Sequence, residues 1–199
     1  MIGAVVQNVL GGIVRPRTSV RRIVDGGHGF DVVLLMVLLA LLVRETFVLL
    51  VLGPRSDASG LQLGVHLRAI IEGMISFVIL SALVYGVGRI FGGTGTWRGT
   101  NLAMAWYLLV TSVFVPLALP ALIHVAEVVA AAGDGPVAPV EIPGNLLAMF
   151  AVASGIMLWL FACYVAVLHR FARTWNVVAV MLGLAAAFSF IVVALVPSN

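Results

Sequence analysis

Hydrophobic residues along this chain come in long unbroken blocks, without the apolar–polar alternation of a membrane barrel. Five blocks reach the roughly 20 apolar residues that a helix needs to cross about 30 Å of hydrocarbon. They run over about 30–52, 70–91, 102–131, 146–168 and 177–196. A backbone in lipid has to satisfy its own hydrogen bonds, so the blocks predict helices. The expectation is an all-α polytopic bundle with five transmembrane helices over residues 30–199. A short lead, residues 1–29, precedes it.

The polar positions between the blocks set an orientation. With the N-terminus in the cytoplasm, Arg15, Arg17, Arg21, Arg22, Arg89, Arg98, Arg170 and Arg173 fall inside, and Arg55 and Arg68 outside. The positive-inside rule therefore predicts a cytoplasmic N-terminus and an external C-terminus. Asp57, Asp134 and Glu141 then lie in external loops. The opening MIGAVVQNVLGGIV has its positive charges after the apolar stretch and no cleavage site, so it is expected to be retained rather than removed as a signal peptide.

Within the lead, RPRTSVRRIVD opens with Pro16, which suits the first turn of a helix. Val20, Ile23 and Val24 fall on one side and the arginines on the other. The segment is expected to form a basic interfacial helix, with Arg15, Arg17, Arg21 and Arg22 as candidate contacts for anionic lipid on the cytoplasmic face. The third block contains VFVPLALPALI. Pro116 and Pro120 are one helical repeat apart and predict a kink, with Thr111 or Ser112 covering freed carbonyls. Small residues four apart (Ala82 and Gly86; Ala151 and Gly155; Ala179, Gly183 and Ala187) predict close helix packing, within the chain or between copies. The glycine-rich loop GGTGTWRGT lacks the lysine and the preceding strand of a phosphate loop.

Two opposite charges interrupt the first block, at Arg44 and Glu45 in LLVRETFVLLVLG. Helix neighbours point about 100° apart, so a partner from another span is expected. Arg44 also lies too deep to reach water easily, about 13 Å from the block's outer end. Glu72, in the second block, is the first candidate by depth, and Glu127 the next. Arg44, Glu45, Glu72, His124 and Glu127 form a candidate intramembrane polar cluster in the outer half. It would serve either as a structural clamp or as the lining of a polar cavity. A metal site on His124 and Glu127, with His66 as a further donor, lacks the paired second motif of carboxylate di-iron bundles. No catalytic triad, metal site or cofactor site is predicted, and the protein is not expected to be an enzyme.

Composition agrees with a bilayer. Apolar residues make up 62% of the 199 and charged residues only 10%, against about 45–50% and about 25% in soluble domains. All eleven basic residues are arginine, as in the proteins of GC-rich bacteria. The lone Cys163 excludes an intrachain disulfide. The net charge of +3 comes from arginines at block ends, which points to membrane orientation rather than nucleic-acid binding.

The lead RPRTSVRRIVD, the junction GGTGTWRGTNLAMAW, the prolines of the third block and HRFARTWNVVAV before the fifth resemble the bacterial branch of the Yip-domain family across nearly the whole chain. Eukaryotic members are five-span proteins of the secretory pathway linked to Rab GTPases. They carry an acidic, aromatic-Gly-Pro motif in a long N-terminal region that this chain lacks, so GTPase binding is not implied. The resemblance implies a multi-pass protein of the bacterial inner membrane, non-enzymatic, organising membrane partners or lipids. Expected partners are the bilayer, anionic lipids, other membrane proteins or a second copy. The alternative is a small transporter or permeation subunit that uses the outer polar cluster.

Overall fold

The computed structural model describes residues 10–26, 29–52, 62–132, 141–171 and 173–195. Arg55, Asp57 and Asp134 lie outside the described residues. Those described form α1 (Pro16–Asp25), α2 (Phe30–Leu52), α3 (Gln62–Ile90), α4 (Trp97–Thr111), α5 (Val115–Ala132), α6 (Gly144–Leu168) and α7 (Thr174–Leu195). No strand occurs among them.

Among the described residues, three helical stretches are long and apolar enough to cross a bilayer: Gly64–Ile90, Trp97–Val125 and Gly144–Leu168. α2 has 23 residues but carries Asp31, Arg44 and Glu45. α7 has 22 residues, and its described side chains form the apolar stretch Trp175–Ala186. Helix starts differ from the apolar blocks. α3 begins at Gln62 and α4 at Trp97, against expected starts at 70 and 102. Hydropathy marks where the apolar stretch begins, whereas a helix continues through polar residues for as long as its hydrogen bonds close.

The core is built around α4, which α1, α2, α3 and α6 surround. Residues from Gly99 to Trp106 are buried without interruption, so α4 has no face left for solvent or lipid over that stretch. Its start is capped by Thr96, whose hydroxyl accepts the Gly99 N–H at 3.1 Å; this satisfies one of the orphan donors of the first turn. The third apolar block is two helices, joined by a 3-10 turn at Ser112–Phe114. Pro116 is the second residue of α5, where its missing N–H removes no helical bond, and Pro120 lies inside the helix. Thr111 Oγ1 donates to Tyr107 O at 2.7 Å and Ser112 Oγ to Leu109 O at 2.7 Å. Both hydroxyls are thus absorbed by carbonyls of α4.

The small residues divide by use. A Cβ at Gly183 would meet Val87 Cγ1 at 3.0 Å and Phe91 Cε2 at 3.1 Å, so α7 approaches α3 there. At Gly73 it would meet Leu41 Cδ2 at 2.6 Å, which brings α2 close to α3. Gly86 and Gly155 face open space.

α1 is docked by its apolar side. Val20 is fully buried, while Arg15, Arg17, Arg21 and Arg22 are exposed. The buried Trp106 donates its Nε1–H to Ser19 Oγ at 3.1 Å, which ties α1 to α4. Ser19→Ala should strand that indole donor and cost about 1–3 kcal/mol. Thermal unfolding in detergent measures the loss, and faster proteolysis near α1 should accompany it.

Candidate functional site

Three groups of polar side chains stand out, and each begins with how a helix ends or what it must neutralise. The first joins the ends of α3 and α6. α3 closes with a Schellman arrangement: Gly93 N–H donates to Gly88 O at 2.8 Å and Gly92 N–H to Arg89 O at 3.1 Å. Gly92 takes φ +79°, which favours glycine. α6 ends the same way: Phe171 N–H donates to Ala166 O at 3.0 Å and Arg170 N–H to Val167 O at 3.2 Å. Here the left-handed residue is Arg170, at φ +52°, in the position where glycine is usual. Thr94 N–H donates to His169 O at 3.2 Å and links the two ends.

His169 is wedged between them, with 1% of its surface exposed. A Cβ at Gly88 or at Gly93 would overlap its ring, and one at Gly95 would lie 3.0 Å from Nδ1. The glycines of the 92–100 loop therefore make room for an imidazole, not for a phosphate. Nε2 lies 3.1 Å from Val84 O. A carbonyl only accepts, so Nε2 carries the proton. Nδ1 is buried without a hydrogen-bond partner. A second proton would put a charged, unpaired N–H into that space. Burial therefore holds the His169 pKa below its usual value, and the nearby Arg89 charge adds to the effect.

The second group answers the charge question in α2. Arg44 does not reach Glu72 or Glu127. Its Nη2 and Nε donate to Oε1 of the adjacent Glu45 at 2.8 and 3.1 Å, and Nη2 lies 3.4 Å from Ala69 O. Glu45 is buried, and its Oε2 lies 2.9 Å from His66 Nδ1 on α3. A carboxylate accepts, so His66 donates from Nδ1. The expectation that helix neighbours cannot pair fails because an arginine has three carbons before its guanidinium. That length lets the side chain bend around the helix surface. Glu45, not Arg44, is the hub of the α2–α3 link.

The remaining predicted members lie apart. Glu72 accepts from Arg68, one turn earlier on α3, at 2.6 Å on an exposed face. His124 Nε2 lies 3.1 Å from Glu141 O, and Glu127 is exposed on α5. The expected five-member cluster is thus divided: only Arg44 and Glu45 come together, joined by His66. Among the described residues, no group of three or more His, Cys, Asp or Glu could hold a metal ion.

The third group is the basic end. α1, the first turn of α4 and the last residue of α6 meet there: a Cβ at Gly99 would touch Val24 Cγ1 at 3.3 Å and Leu168 Cδ1 at 3.5 Å. A cavity of about 700 Å³ opens between α1, the end of α6 and the start of α7, bordered by Arg17, Arg21, Arg170 and Arg173. The first two were among the predicted lipid contacts; the last two were not. Arg15 and Arg22 lie outside it.

A helical bundle with bilayer-length apolar helices and a basic end defines a polytopic membrane protein. Residues 11–195 match the Yip1 domain, and the chain belongs to that family, one of membrane-trafficking proteins. No curated protein and no solved structure matches the chain.

Two outcomes are expected. Glu45→Gln removes the charge that neutralises the part-exposed Arg44 and should cost about 1–3 kcal/mol. Combining it with Arg44→Met should cost less than the sum of the single changes, and Glu72→Gln should leave unfolding in detergent unchanged. The second concerns His169. The unfolded chain takes up a proton near pH 6.5, and the folded site resists it. Stability held above about pH 6.5 is therefore lost as pH falls below it. Thermal unfolding scanned from pH 8 to 5 should show that loss in the native protein and much less of it in His169→Gln.

Proposed function

We propose that this is a non-enzymatic, five-span protein of the bacterial inner membrane, with its N-terminus in the cytoplasm. It organises anionic lipids and membrane partners through its basic cytoplasmic end. The observation that carries this reading is the docking of α1. Its apolar side is sealed onto α4 and α6 while Arg15, Arg17, Arg21 and Arg22 are presented outward. A helix serving only as a topology signal has no need of a buried valine and a fixed indole bond. Each arginine close to an anionic leaflet contributes about 1 kcal/mol of attraction. α2 and α7 complete the five spans in this reading, with the Arg44–Glu45 pair allowing α2 to cross as a nearly neutral segment.

A permeation role needs one continuous polar lining in the half of the bundle opposite the basic end. Among the described residues there, Glu72 and Glu127 are exposed, and Arg44, Glu45 and His66 are gathered without forming such a lining. The lipid-organising reading is therefore preferred.

Purification of the full chain in mild detergent should enrich anionic phospholipid well above its share of the membrane, alongside partner membrane proteins. Lipid at bulk composition with no associated protein would refute the reading. Single cysteines in Cys163→Ser protein test the orientation: Ser59→Cys and Ala138→Cys should label from outside intact cells, and Thr96→Cys should not.

A further inference from the structure

The cavity at the basic end has two unlike halves. Arg17 and Arg21 are one turn apart on α1 and so border it from the same side. Arg170 and Arg173, from the α6–α7 turn, also border it. Among the described residues, Asp25 is the only carboxylate in its lining. Among the described residues, none of the four arginines has an ion-pair partner. Four guanidinium groups around one space repel each other, so the space favours an anion.

The other half runs along α6. Trp159, Ala162, Cys163 and Ala166 line it, at helical spacings that place them on one face. The small side chains leave a groove, and Trp159, half exposed, closes its far end about 10 Å from Ala166 at 1.5 Å per residue. The cavity thus passes from arginine to apolar surface along the direction of α6. A free phosphate would use only the first half. A lipid uses both.

Arg170 supplies an independent observation. Its φ of +52° is a conformation in which glycine is unstrained and a side chain is not. Gly92 fills the equivalent position at the end of α3. Arginine is thus kept where the backbone prefers glycine, and its side chain lines the cavity; strain of this kind clusters at binding sites.

The geometry points to a site for one anionic glycerophospholipid. Its phosphate sits among Arg17, Arg21, Arg170 and Arg173, and the start of an acyl chain lies along Trp159–Ala166. The site rests on the lipid-organising reading and narrows it from a charged surface to one bound molecule.

The test uses the full chain in nonionic detergent. Thermal unfolding is followed while phosphatidylglycerol, phosphatidylcholine of the same chains, or inorganic phosphate is titrated. Phosphatidylglycerol alone should raise the Tm saturably. Arg170→Gly should hold or raise the lipid-free Tm and weaken the apparent lipid affinity about fivefold, the equivalent of about 1 kcal/mol per arginine. Ala166→Trp, which fills the groove and leaves every charge, should also abolish most of the shift. It serves independently if the Arg170 variant folds poorly. Arg15→Gln with Arg22→Gln removes two charges outside the cavity and should keep the response. If that pair lowers the response as much as Arg170→Gly, the attraction is diffuse: the site fails while the basic-face reading stands. Equal shifts with phosphatidylcholine would overturn both. Full reproduction of the shift by inorganic phosphate would overturn the lipid in favour of a soluble anion.

Discussion

The basic end of the bundle is assembled around one imidazole that fills space left by three glycines. His169 replaces what would otherwise be a void between the end of α3 and the end of α6. Its Nε2–H holds Val84 O while its ring lies against Gly88, Gly93 and Gly95. Phe171 stacks on the other side, with ring centroids 5.4 Å apart. Because none of the three glycines has a Cβ, the α3–α4 loop can fold flat over the ring and start α4 at Trp97. α4 is the buried centre of the protein, so the position of its first turn fixes where α1 and α6 can pack. The ring must remain neutral for this, since a charged imidazole would leave a buried N–H with nothing to bond.

Charge is handled differently at each depth. In α2 a cation and an anion neutralise each other on adjacent residues, and His66 draws α3 into contact with them. That arrangement leaves the Arg44–Glu45 pair without net charge and recruits no third helix. At the basic end, Arg17, Arg21, Arg170 and Arg173 are exposed around one cavity, without an ion pair among the described residues. In the proposed five-span arrangement these are two answers to one constraint: an ion in hydrocarbon needs a partner, while an ion at the headgroup level finds one in the membrane.

Much of this was legible in the sequence, and the rest was hidden for physical reasons. Block length and apolarity mark helices because a bilayer demands them, and the amphipathic pattern of RPRTSVRRIVD marks α1 because Val20 needs a floor. Arg44 and Glu45 were legible as a problem but not as their own solution. The 100° rule describes where Cβ atoms point and ignores the reach of a long side chain. Glu72 found Arg68 four residues away, a pairing that local spacing favours over any remote one. His169 escaped notice because a lone histidine in HRFARTW reads as a span-end residue. Its signal was there in glycine at 88, 93 and 95, but three glycines describe a shape only once the helix that fills it is known. The same holds for Arg170 and Arg173, which a linear reading counts as topology charges and folding carries to the arginines of α1.

The two features of the α6 terminus are one structural event. A helix that simply frayed after Leu168 would let His169 and Arg170 point in neighbouring directions and share an environment. The left-handed turn at Arg170 prevents that. It sends the histidine ring inward to the glycines, where a charge is costly, and leaves the arginine on the cavity, where a charge is useful. The bonds from Phe171 to Ala166 and from Arg170 to Val167 hold the turn in place. A glycine at 170 would make the turn equally well and leave the cavity with one cation fewer. The choice of residue therefore concerns the cavity and not the turn, which separates what the backbone needs at this position from what its side chain is for.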